Sequence, residues 1–502
     1  STPLEFEGER KYVTVLFSDM SGYTSMSERL DPEEVKEISG RIFGEISQVI
    51  AQYDGFIEKY IGDAVMALFG VPISQEDDPV RAIKAAREIH DLVANLNPEY
   101  QSRIGQPLAM HTGINTGLVV TGEIDLERGT HGVAGDTINL AARLSGLALP
   151  NEIVVALDTC RLTEGYFVLE ELEPTMIKGK KEPVQAYKVI SSKALPRKVH
   201  RLHGLRADLI GRKTEIDQLK EGVERLRQGK GGIVSICGDA GTGKSRLVEE
   251  FKSSLDIEEI QWREGHAYAY SQNSPYATVI DFLNRTFQIE EGDSPEKLKA
   301  KVESGIAHLV GETEDIVPFV GSLFSLSYPE VEDVSPEFWK VRLQEGMNTI
   351  LAAFAQGAPT IICLEDLHWA DPSSVDLIRF VLGKSGHPAL YVCVYRPTFN
   401  LFSSQLLATI GESYSEIRLQ DLSPSETQDM AASLLKSEAI PAELREFIQK
   451  KIGGNPFYME EALNSLVEAK TLVRNNQGWK LTKAISDADI PSTIQGLSLI
   501  HI

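Results

Sequence analysis

Residues 233–245 read IVSICGDAGTGKS, and this stretch decides how the second half of the chain is expected to fold. The short apolar run 233–237 predicts a buried β-strand. The glycine-rich segment that follows matches the pattern GxxxxGK[ST], whose backbone N–H groups can surround a phosphate group. A helix is predicted from Ser245 to about Leu255. A strand, a glycine-rich loop and a helix in this order predict an α/β unit that binds a nucleotide.

The residues of this loop are expected to have separate roles. Lys244 would reach the β- and γ-phosphates, and Ser245 would ligate Mg²⁺ of a bound ATP or ADP. A buried strand over 360–364 is predicted to end beside the loop, where Glu365 would hold Mg²⁺ and Asp366 would activate water. The expected nucleotide contacts within the loop are Gly238, Gly241, Thr242, Gly243, Lys244 and Ser245.

A second acidic site is predicted in the first half of the chain, in the motifs LFSDMSGYTSMSE and IEKYIGDAVMALFG. Asp19 follows the apolar strand 12–17, and Asp63 occupies a tight turn within the strand pair 56–69. Carboxylates at strand ends are held rigidly, as a two-metal site on a triphosphate requires. Segment 20–24, at a predicted helix start, adds backbone N–H groups for phosphate oxygens.

Strand and helix patterns alternate over residues 10–190 and begin again at Leu209. Asp31 and Pro32 mark the start of one helix, and a second helix is expected from Asp78 to about Leu96. Further elements are predicted as strands near 107–114, near 117–123, at 153–155 and at 390–394, and as a helix over 136–144. The predicted domains are 8–190, a basic linker 191–207, an α/β core 208–400, and a helical, winged-helix-like region 401–502 that looks truncated.

Composition limits the classes of function. At 502 residues, the chain is long enough for two or three domains. Its formal charge of −23 argues against sequence-independent binding of DNA or RNA, which needs a basic surface. The four cysteines form no CxxC pair, which favours a reduced, cytoplasmic protein. No apolar run approaches the ~20 residues of a membrane span, and no signal peptide is evident.

The motifs FSDMSGYT, EKYIGDAVMALFG, GINTGLVVTGEI and GDTINLAARL occur in this order over roughly residues 8–190. They resemble the class III nucleotidyl cyclases, which convert ATP or GTP to a 3′,5′-cyclic nucleotide and pyrophosphate. The resemblance implies an α+β, ferredoxin-like fold in which Asp19 and Asp63 bind two Mg²⁺ or Mn²⁺ ions. Further expected contacts are Met20 to metal and Ser21, Gly22, Tyr23 and Thr24 to the nucleotide.

The same resemblance assigns Lys59 to purine selection, and Asn139 and Arg143 to orienting the ribose and stabilising the transition state. Asn139 and Arg143 stand at i and i+4, so both face the same way. Lys59 is a donor suited to adenine N1, which favours ATP. The second purine-selecting slot is Gly132, which has no side chain to bond the adenine amino group. His131 or a backbone carbonyl could substitute for it.

The family also implies a homodimer. Its metal-binding residues come from one catalytic domain, and its purine and transition-state residues come from the partner. This chain has one such domain, and that domain carries both sets of residues. Two copies of the chain are therefore expected to form two equivalent sites across a two-fold axis.

The second half resembles the STAND class of AAA-related ATPases over roughly residues 205–495. The resemblance rests on LIGRKTE, LEDLHWADPSS and GNPFYMEE, together with the glycine-rich loop. In that class a lid proline, here Pro456, contacts the nucleotide, and Arg396 resembles a sensor arginine. Such ATPases act as slow switches between ADP-closed and ATP-open forms.

Together these features resemble the soluble adenylyl cyclases and their bacterial relatives. They predict a cytoplasmic, homodimeric adenylyl cyclase that is regulated by its own ATPase module, binds no nucleic acid and is not integral to a membrane. A regulatory protein or small molecule would bind through the missing C-terminal region. The alternatives are a catalytically inactive cyclase-like scaffold with the ATPase as switch, and a guanylyl cyclase, which Lys59 opposes. A DNA-binding regulator with a STAND core is disfavoured by the acidic charge.

Overall fold

A computed structural model describes residues 9–71, 77–121, 133, 135–177, 182–193, 207–256, 259–290, 292–311, 315–384, 386–437, 440–468, 470–475 and 478–485. The described residues up to 193 form one compact unit, and those from 207 onward form a second. Among the described residues, no helix is long and apolar enough to cross a membrane.

The first unit combines a mixed sheet with helices. Its strands are β1 (Glu9–Ser21), β2 (Phe56–Ile61), β3 (Ala64–Phe69), β4 (Ala109–Thr121), β5 (Ile153–Ala156), β6 (Phe167–Glu171) and β7 (Ala186–Ser192). Its helices are α1 (Tyr23–Arg29), α2 (Pro32–Gln52), α3 (Asp78–Ile104), α4 (Asp136–Ser145) and α5 (Leu157–Thr163). The predicted linker 191–207 starts too early, because β7 continues to Ser192; residues 194–206 lie outside the described part of the chain.

The described strands of this unit form one sheet in the order β2-β3-β1-β4-β5-β7-β6. The long strand β1 lies between β3 and β4 and is antiparallel to both. The two strands expected near 107–114 and 117–123 are a single strand, β4. Gly117 of β4 lets the sheet approach α4 closely, because a Cβ atom there would lie 2.8 Å from Thr137 Oγ1.

A buried ion cluster joins α3 to the end of α2. Arg81 is 1% exposed, donates a 2.8 Å hydrogen bond to the Tyr53 carbonyl, and pairs with Asp77 at 3.1 Å and with Asp78. The cluster therefore fixes the chain where it enters β2. Helix α3 runs to Ile104 and passes through Pro98, well beyond the predicted end near Leu96, because its last turns bury apolar side chains.

The second unit has more helix than its sequence predicts. Its strands are β8 (Gly232–Gly238), β9 (Gln261–His266), β10 (Thr360–Glu365), β11 (Ala389–Tyr395), β12 (Tyr414–Leu419), β13 (Leu472–Asn475) and β14 (Gly478–Leu481). Its helices are α6 (Lys213–Arg227), α7 (Lys244–Ser253), α8 (Ala277–Phe287), α9 (Pro295–Val310), α10 (Val317–Gly321), α11 (Pro329–Glu332), α12 (Pro336–Gly357), α13 (Pro372–Gly383), α14 (Ser404–Ile410), α15 (Pro424–Leu435), α16 (Ala442–Phe447) and α17 (Pro456–Glu468).

Five of these strands form a parallel sheet in the order β12-β8-β11-β10-β9, with buried apolar clusters against both faces. This arrangement confirms the predicted α/β class. Strand β11 lies between β8 and β10, so one strand separates the glycine-rich loop from the acids at the end of β10. The region from about residue 423 is helical as predicted, but the hairpin β13–β14 follows it. Trp479 secures this hairpin by donating a hydrogen bond to the Leu435 carbonyl at 2.7 Å.

Candidate functional sites

The strand register brings the two predicted metal-binding aspartates together. Asp19 lies near the end of β1, opposite Ala64 of β3, and Asp63 directly precedes Ala64 in the turn between β2 and β3. Burial, and then the charge of Asp19, raises the pKa of Asp63. The carboxylates are therefore close enough to repel each other.

Two neighbouring carboxylates of this kind fit divalent cations, which favour oxygen ligands and relieve the repulsion. Within the described residues, no group of three or more His, Cys, Asp or Glu side chains could hold a metal ion. The pair is thus a partial ligand set, suited to ions that also bind triphosphate oxygens. The Asp19 side chain is 40% exposed and accepts the Met20 N–H at 2.9 Å. The Met20 side chain is buried, which leaves its carbonyl as the group able to contact a metal.

The predicted phosphate-binding turn lies next to this pair. Ser21 ends β1, and Gly22 adopts a φ of +95° directly before α1. A Cβ atom at Gly22 would lie 3.2 Å from the Pro107 carbonyl, so the turn packs closely against the following segment. Tyr23 and Thr24 form the first turn of α1, where backbone N–H groups have no partner within the helix.

Helix α4 carries Asn139, which is exposed, and Arg143, which is partly buried. Its two ends are fastened to β4 through side-chain hydrogen bonds. The four bonds are His111 Nδ1 to the Ser145 carbonyl (2.9 Å), Ser145 Oγ to the His111 carbonyl (3.2 Å), Asn115 Nδ2 to the Thr137 carbonyl (3.1 Å) and Thr137 Oγ1 to the Leu118 carbonyl (2.8 Å). The helix is therefore held in a fixed position on the sheet.

Gly113 of β4 allows this close approach. A Cβ atom at this position would lie 2.0 Å from the Ser145 backbone nitrogen and 2.3 Å from the Ala141 carbonyl oxygen. Both distances are far below van der Waals contact and involve backbone atoms, which cannot rotate away. Only glycine fits between the strand and the helix.

Sequence reasoning missed His111. It lies opposite Asp19 in the β1–β4 ladder, and its Nε2 is 3.8 Å from Asp19 Oδ2. A carbonyl can only accept, so Nδ1 donates to the Ser145 carbonyl, and Nε2 is the ring nitrogen that faces Asp19. No local pattern reveals this residue, because the register that places it depends on segments about ninety residues apart.

Lys59 lies on β2, an edge strand, and its side chain is exposed. The register between β2 and β3 shifts between Ile57 and Lys59, so the strand is irregular at this point. Glu58, the preceding residue, is buried. Gly132 and His131, the predicted second purine contacts, lie outside the described residues.

The glycine-rich loop connects β8 to α7 as predicted. Gly241 and Gly243 adopt φ values of +78° and +93°, which L-residues with side chains rarely adopt. Lys244 is buried, and its Nζ donates to the Gly238 and Asp239 carbonyls, each at 2.8 Å. Ser245 follows in the first turn of α7.

Three groups contact the loop from the side of its carbonyls. Arg212, of the LIGR segment, donates to the Thr242 carbonyl at 3.2 Å and to the Gln420 carbonyl at 2.5 Å. Asn455 donates to the Ala240 carbonyl at 3.0 Å, and the Phe457 N–H to the Gly241 carbonyl at 3.2 Å. Pro456, the predicted lid proline, stands between these last two residues at the start of α17.

The predicted acids lie at the end of β10. Glu365 is its last residue, and Asp366 adopts a φ of +57°. His266 pairs with Glu365 in the β9–β10 ladder, and burial lowers the pKa of this histidine. Arg396 follows β11, and its guanidinium lies 5.6 Å from the centre of the Trp369 ring. Because β11 lies between β8 and β10, Arg396 follows a strand that separates the glycine-rich loop from the acids at the end of β10.

Two protein-family models match the chain in separate segments. Residues 7–191 match the adenylate and guanylate cyclase catalytic domain, and residues 208–395 match an AAA ATPase domain. The chain joins a class III nucleotidyl cyclase domain to an AAA ATPase domain. The cyclase domain carries Asp19 and Asp63, and the ATPase domain carries the glycine-rich loop. The resemblance to class III nucleotidyl cyclases is therefore confirmed, and that of the second half is confirmed as an AAA ATPase domain.

Known proteins resemble one or both domains. An uncharacterised protein of Rhizobium meliloti is 25% identical over 480 residues, covering 90% of this chain and 44% of the relative. An adenylate cyclase of Anabaena cylindrica is 32% identical over 189 residues, covering 35% of this chain and 36% of the relative. The chain therefore spans less than half the length of these relatives.

Guanylate cyclases are also among the similar proteins, so the family alone leaves adenylyl and guanylyl activity unresolved. Among solved structures, an adenylyl cyclase of P. aeruginosa is 30% identical. The match covers 38% of this chain and 99% of that one, with a TM-score of 0.36.

Proposed function

We propose that the cyclase domain converts ATP to 3′,5′-cyclic AMP and pyrophosphate at sites shared between two copies of the chain. The observation that carries this proposal is that Asp19 and Asp63 lie close together where β1 ends and β3 begins. A carboxylate pair that repels in isolation is suited to Mg²⁺ or Mn²⁺ on a triphosphate.

The chain's own residues have distinct roles in this reaction. Asp19 and Asp63 bind the ions, which when present would lower the pKa of the ribose 3′-hydroxyl and neutralise the leaving pyrophosphate. Arg143 donates to charge that builds on the α-phosphoryl group. Asn139, one turn earlier on α4, orients the ribose. The hydrogen bonds that hold α4 on β4 supply the rigidity that such positioning needs.

The choice of purine rests on Lys59. Its ammonium group is a donor that suits adenine N1, whereas guanine presents a donor at the same place. The exposed position of Lys59 on β2 leaves it accessible to a nucleotide. Guanylyl activity is the second candidate, since guanylate cyclases are among the similar proteins. Competition between ATP and GTP separates the two candidates.

Product analysis tests the catalytic proposal. Purified protein with ATP and Mn²⁺ should form cyclic AMP, and Asp63→Ala should abolish it. Asp91→Asn, at an exposed position on α3, is the control and should retain full activity. If a confirmed dimer forms neither cyclic AMP from ATP nor cyclic GMP from GTP, the cyclase domain is not catalytic.

Mixing two inactive variants tests the shared site. Asp63→Asn and Arg143→Ala disable opposite halves of each site, so a mixed dimer contains one intact site and one doubly disabled site. Random pairing at equal concentrations should restore about a quarter of wild-type activity. No recovery from dimers that exchange subunits would mean that each site is built within one chain.

The AAA ATPase domain is proposed to act as a slow switch of the STAND type that binds ATP or ADP with Mg²⁺ and regulates the cyclase. The loop amides would surround the phosphates, with Lys244 on the β- and γ-phosphates. The remaining proposed roles are Ser245 and Glu365 at Mg²⁺, Asp366 at the attacking water, Arg396 as sensor and Pro456 at the nucleotide. A change in cyclic AMP synthesis on Lys244→Ala, with dimerisation intact, would support this coupling, and an unchanged rate would contradict it.

A further inference from the structure

The glycine-rich loop between β8 and α7 has two sides with different chemistry. Because a trans peptide unit is planar, the carbonyl of one residue and the N–H of the next point in opposite directions. A donor that fixes a carbonyl on one side therefore fixes the direction of the next N–H on the other side. Residues behind the loop can in this way control how its amides present themselves to a phosphate.

Three successive carbonyls of the loop accept hydrogen bonds from outside it. The donors come from a residue before α6 and from the segment that begins α17. The bonds are Asn455 Nδ2 to the Ala240 carbonyl, the Phe457 N–H to the Gly241 carbonyl, and Arg212 Nη2 to the Thr242 carbonyl. Through the peptide planes, these bonds set the directions of the N–H groups of Gly241, Thr242 and Gly243.

We propose that Asn455 is a positioning residue for the phosphate-binding amides of the glycine-rich loop. In this role, it links docking of the lid helix α17 to nucleotide binding. This inference deepens the proposed nucleotide site at the loop and rests on it. Asn455 is 7% exposed, and its two side-chain atoms have different tasks. Nδ2 holds the Ala240 carbonyl, while Oδ1 accepts the Tyr458 N–H at 3.3 Å and caps α17. One side chain therefore holds both the helix start and the loop.

The fit around Asn455 is tight. A Cβ atom at Gly241 would lie 2.4 Å from Asn455 Oδ1 and 3.0 Å from the Phe457 Cβ. At Gly454, a Cβ atom would lie 2.1 Å from the Leu422 carbonyl oxygen. The absence of a side chain at Gly241 lets the start of α17 approach the loop closely, and its absence at Gly454 lets the preceding segment pack on Leu422. The lid segment thus contacts the loop's own backbone.

Linkage makes this contact reciprocal. If a docked lid orients the amides, a phosphate that binds those amides favours the docked lid by the same factor. The amides of Gly241 and Gly243 are among those expected to surround the β-phosphate, which ATP and ADP share, whereas the Thr242 N–H donates to the Asp239 carbonyl at 3.4 Å. Loss of the Asn455 bond should therefore weaken both nucleotides equally. A residue that sensed the γ-phosphate would weaken ATP alone.

The variant Asn455→Asp separates the two tasks of the side chain. Aspartate keeps an acceptor for the Tyr458 N–H, so the cap of α17 survives, but it has no donor for the Ala240 carbonyl. Ser403→Ala is the matched control, because it removes a helix cap in the same unit, at α14, without contact with the loop. All four tryptophans of the chain lie in this unit, so their fluorescence verifies that each variant is folded.

The test measures dissociation constants for ADP and ATP by titration, and hydrogen exchange of the loop amides without nucleotide. We expect Asn455→Asp to weaken both nucleotides by about five- to tenfold, the effect of one buried hydrogen bond, and to speed exchange at Gly241. Ser403→Ala should change neither. Wild-type affinity in folded Asn455→Asp, or a loss confined to ATP, would overturn the inference.

Lys244→Ala distinguishes this inference from the proposed nucleotide site itself. If Lys244→Ala loses nucleotide binding while Asn455→Asp retains it, the site stands and the positioning role is wrong. If the wild-type protein binds neither ADP nor ATP, the nucleotide site is wrong and the inference falls with it.

Discussion

Replacing Gly113 by alanine should impair catalysis without touching a catalytic side chain. The new Cβ atom would lie 2.0 Å from the Ser145 nitrogen and 2.3 Å from the Ala141 carbonyl oxygen. Ordinary contact begins at 3.4 Å, so the shortfall at Ser145 is 3.4 − 2.0 = 1.4 Å. Neither atom can rotate aside, because both belong to the backbone of α4. The helix must therefore move away from β4 by about 1 Å or more.

Two magnitudes follow from this displacement. Overpacking of this kind costs about 1–3 kcal/mol of folding free energy. Helix α4 also carries Asn139 and Arg143, and a 1 Å misplacement of catalytic groups can lower the rate by about 100-fold. We therefore expect kcat for cyclic AMP synthesis to fall by about two orders of magnitude. The KM for ATP should change little, since the proposed metal-binding residues Asp19, on β1, and Asp63, in the β2–β3 turn, lie outside α4 and β4.

The assay compares kcat, KM and the calorimetric unfolding of the cyclase domain in Gly113→Ala and Gly40→Ala. Gly40 is exposed on α2, and a Cβ atom there would have no atom within 4 Å. Alanine at that helix position should stabilise the domain by about 0.5–1 kcal/mol and leave kcat unchanged. A Gly113→Ala protein with wild-type kcat and stability would refute the close packing of α4 on β4.

Three further predictions concern charge and burial. The raised pKa of Asp63 means that its stabilising contribution exists at low pH and is lost as pH rises through that pKa. Without metal, Asp63→Asn should therefore unfold at a higher temperature than wild type at pH 8, with a smaller difference near pH 4, as thermal scans would show. Arg81→Met should destabilise the cyclase domain by about 3–5 kcal/mol, because the buried Asp78 loses its ion pair with Arg81. Adding Asp78→Asn should recover part of that loss in urea titrations followed by circular dichroism. Burial raises the pKa of Cys393 to about 12, so a thiol reagent at pH 8 should modify it only after unfolding.

Several elements follow from the sequence because their signals are local. The strands β2 and β3 match their predicted bounds, since Gly62 and Asp63 form a turn between two apolar runs. The glycine-rich loop is equally local: its pattern, the strand before it and the helix after it all lie within about twenty residues. The pairing of Asp19 with Asp63 was inferred from family resemblance, and the β1–β3 register supplies its geometry.

Other features depend on contacts between distant segments and were missed. Two strands are expected near 107–114 and 117–123, whereas β4 is continuous through Gly117, whose lack of a side chain serves helix packing. The position of His111 beside Asp19 depends on the β1–β4 register. The contact of Asn455 with Ala240 joins residues 215 apart in sequence. In each case, the residue type allows the contact, but only tertiary structure selects it.

The fastening of α4 to β4 has a consequence for how such a cyclase can be controlled. Strands β1 and β4 pair along their whole length, and α4 is bonded to β4 at both ends, so Asp19, Asn139 and Arg143 lie on one firmly connected part of the domain. In the proposed homodimer, an input that acts on this part of the domain would change the angle at which the two copies meet rather than bend the part itself. Any attached module that twists the pair could serve as the controller, so a cyclase domain of this design can change its input without redesign of its chemistry.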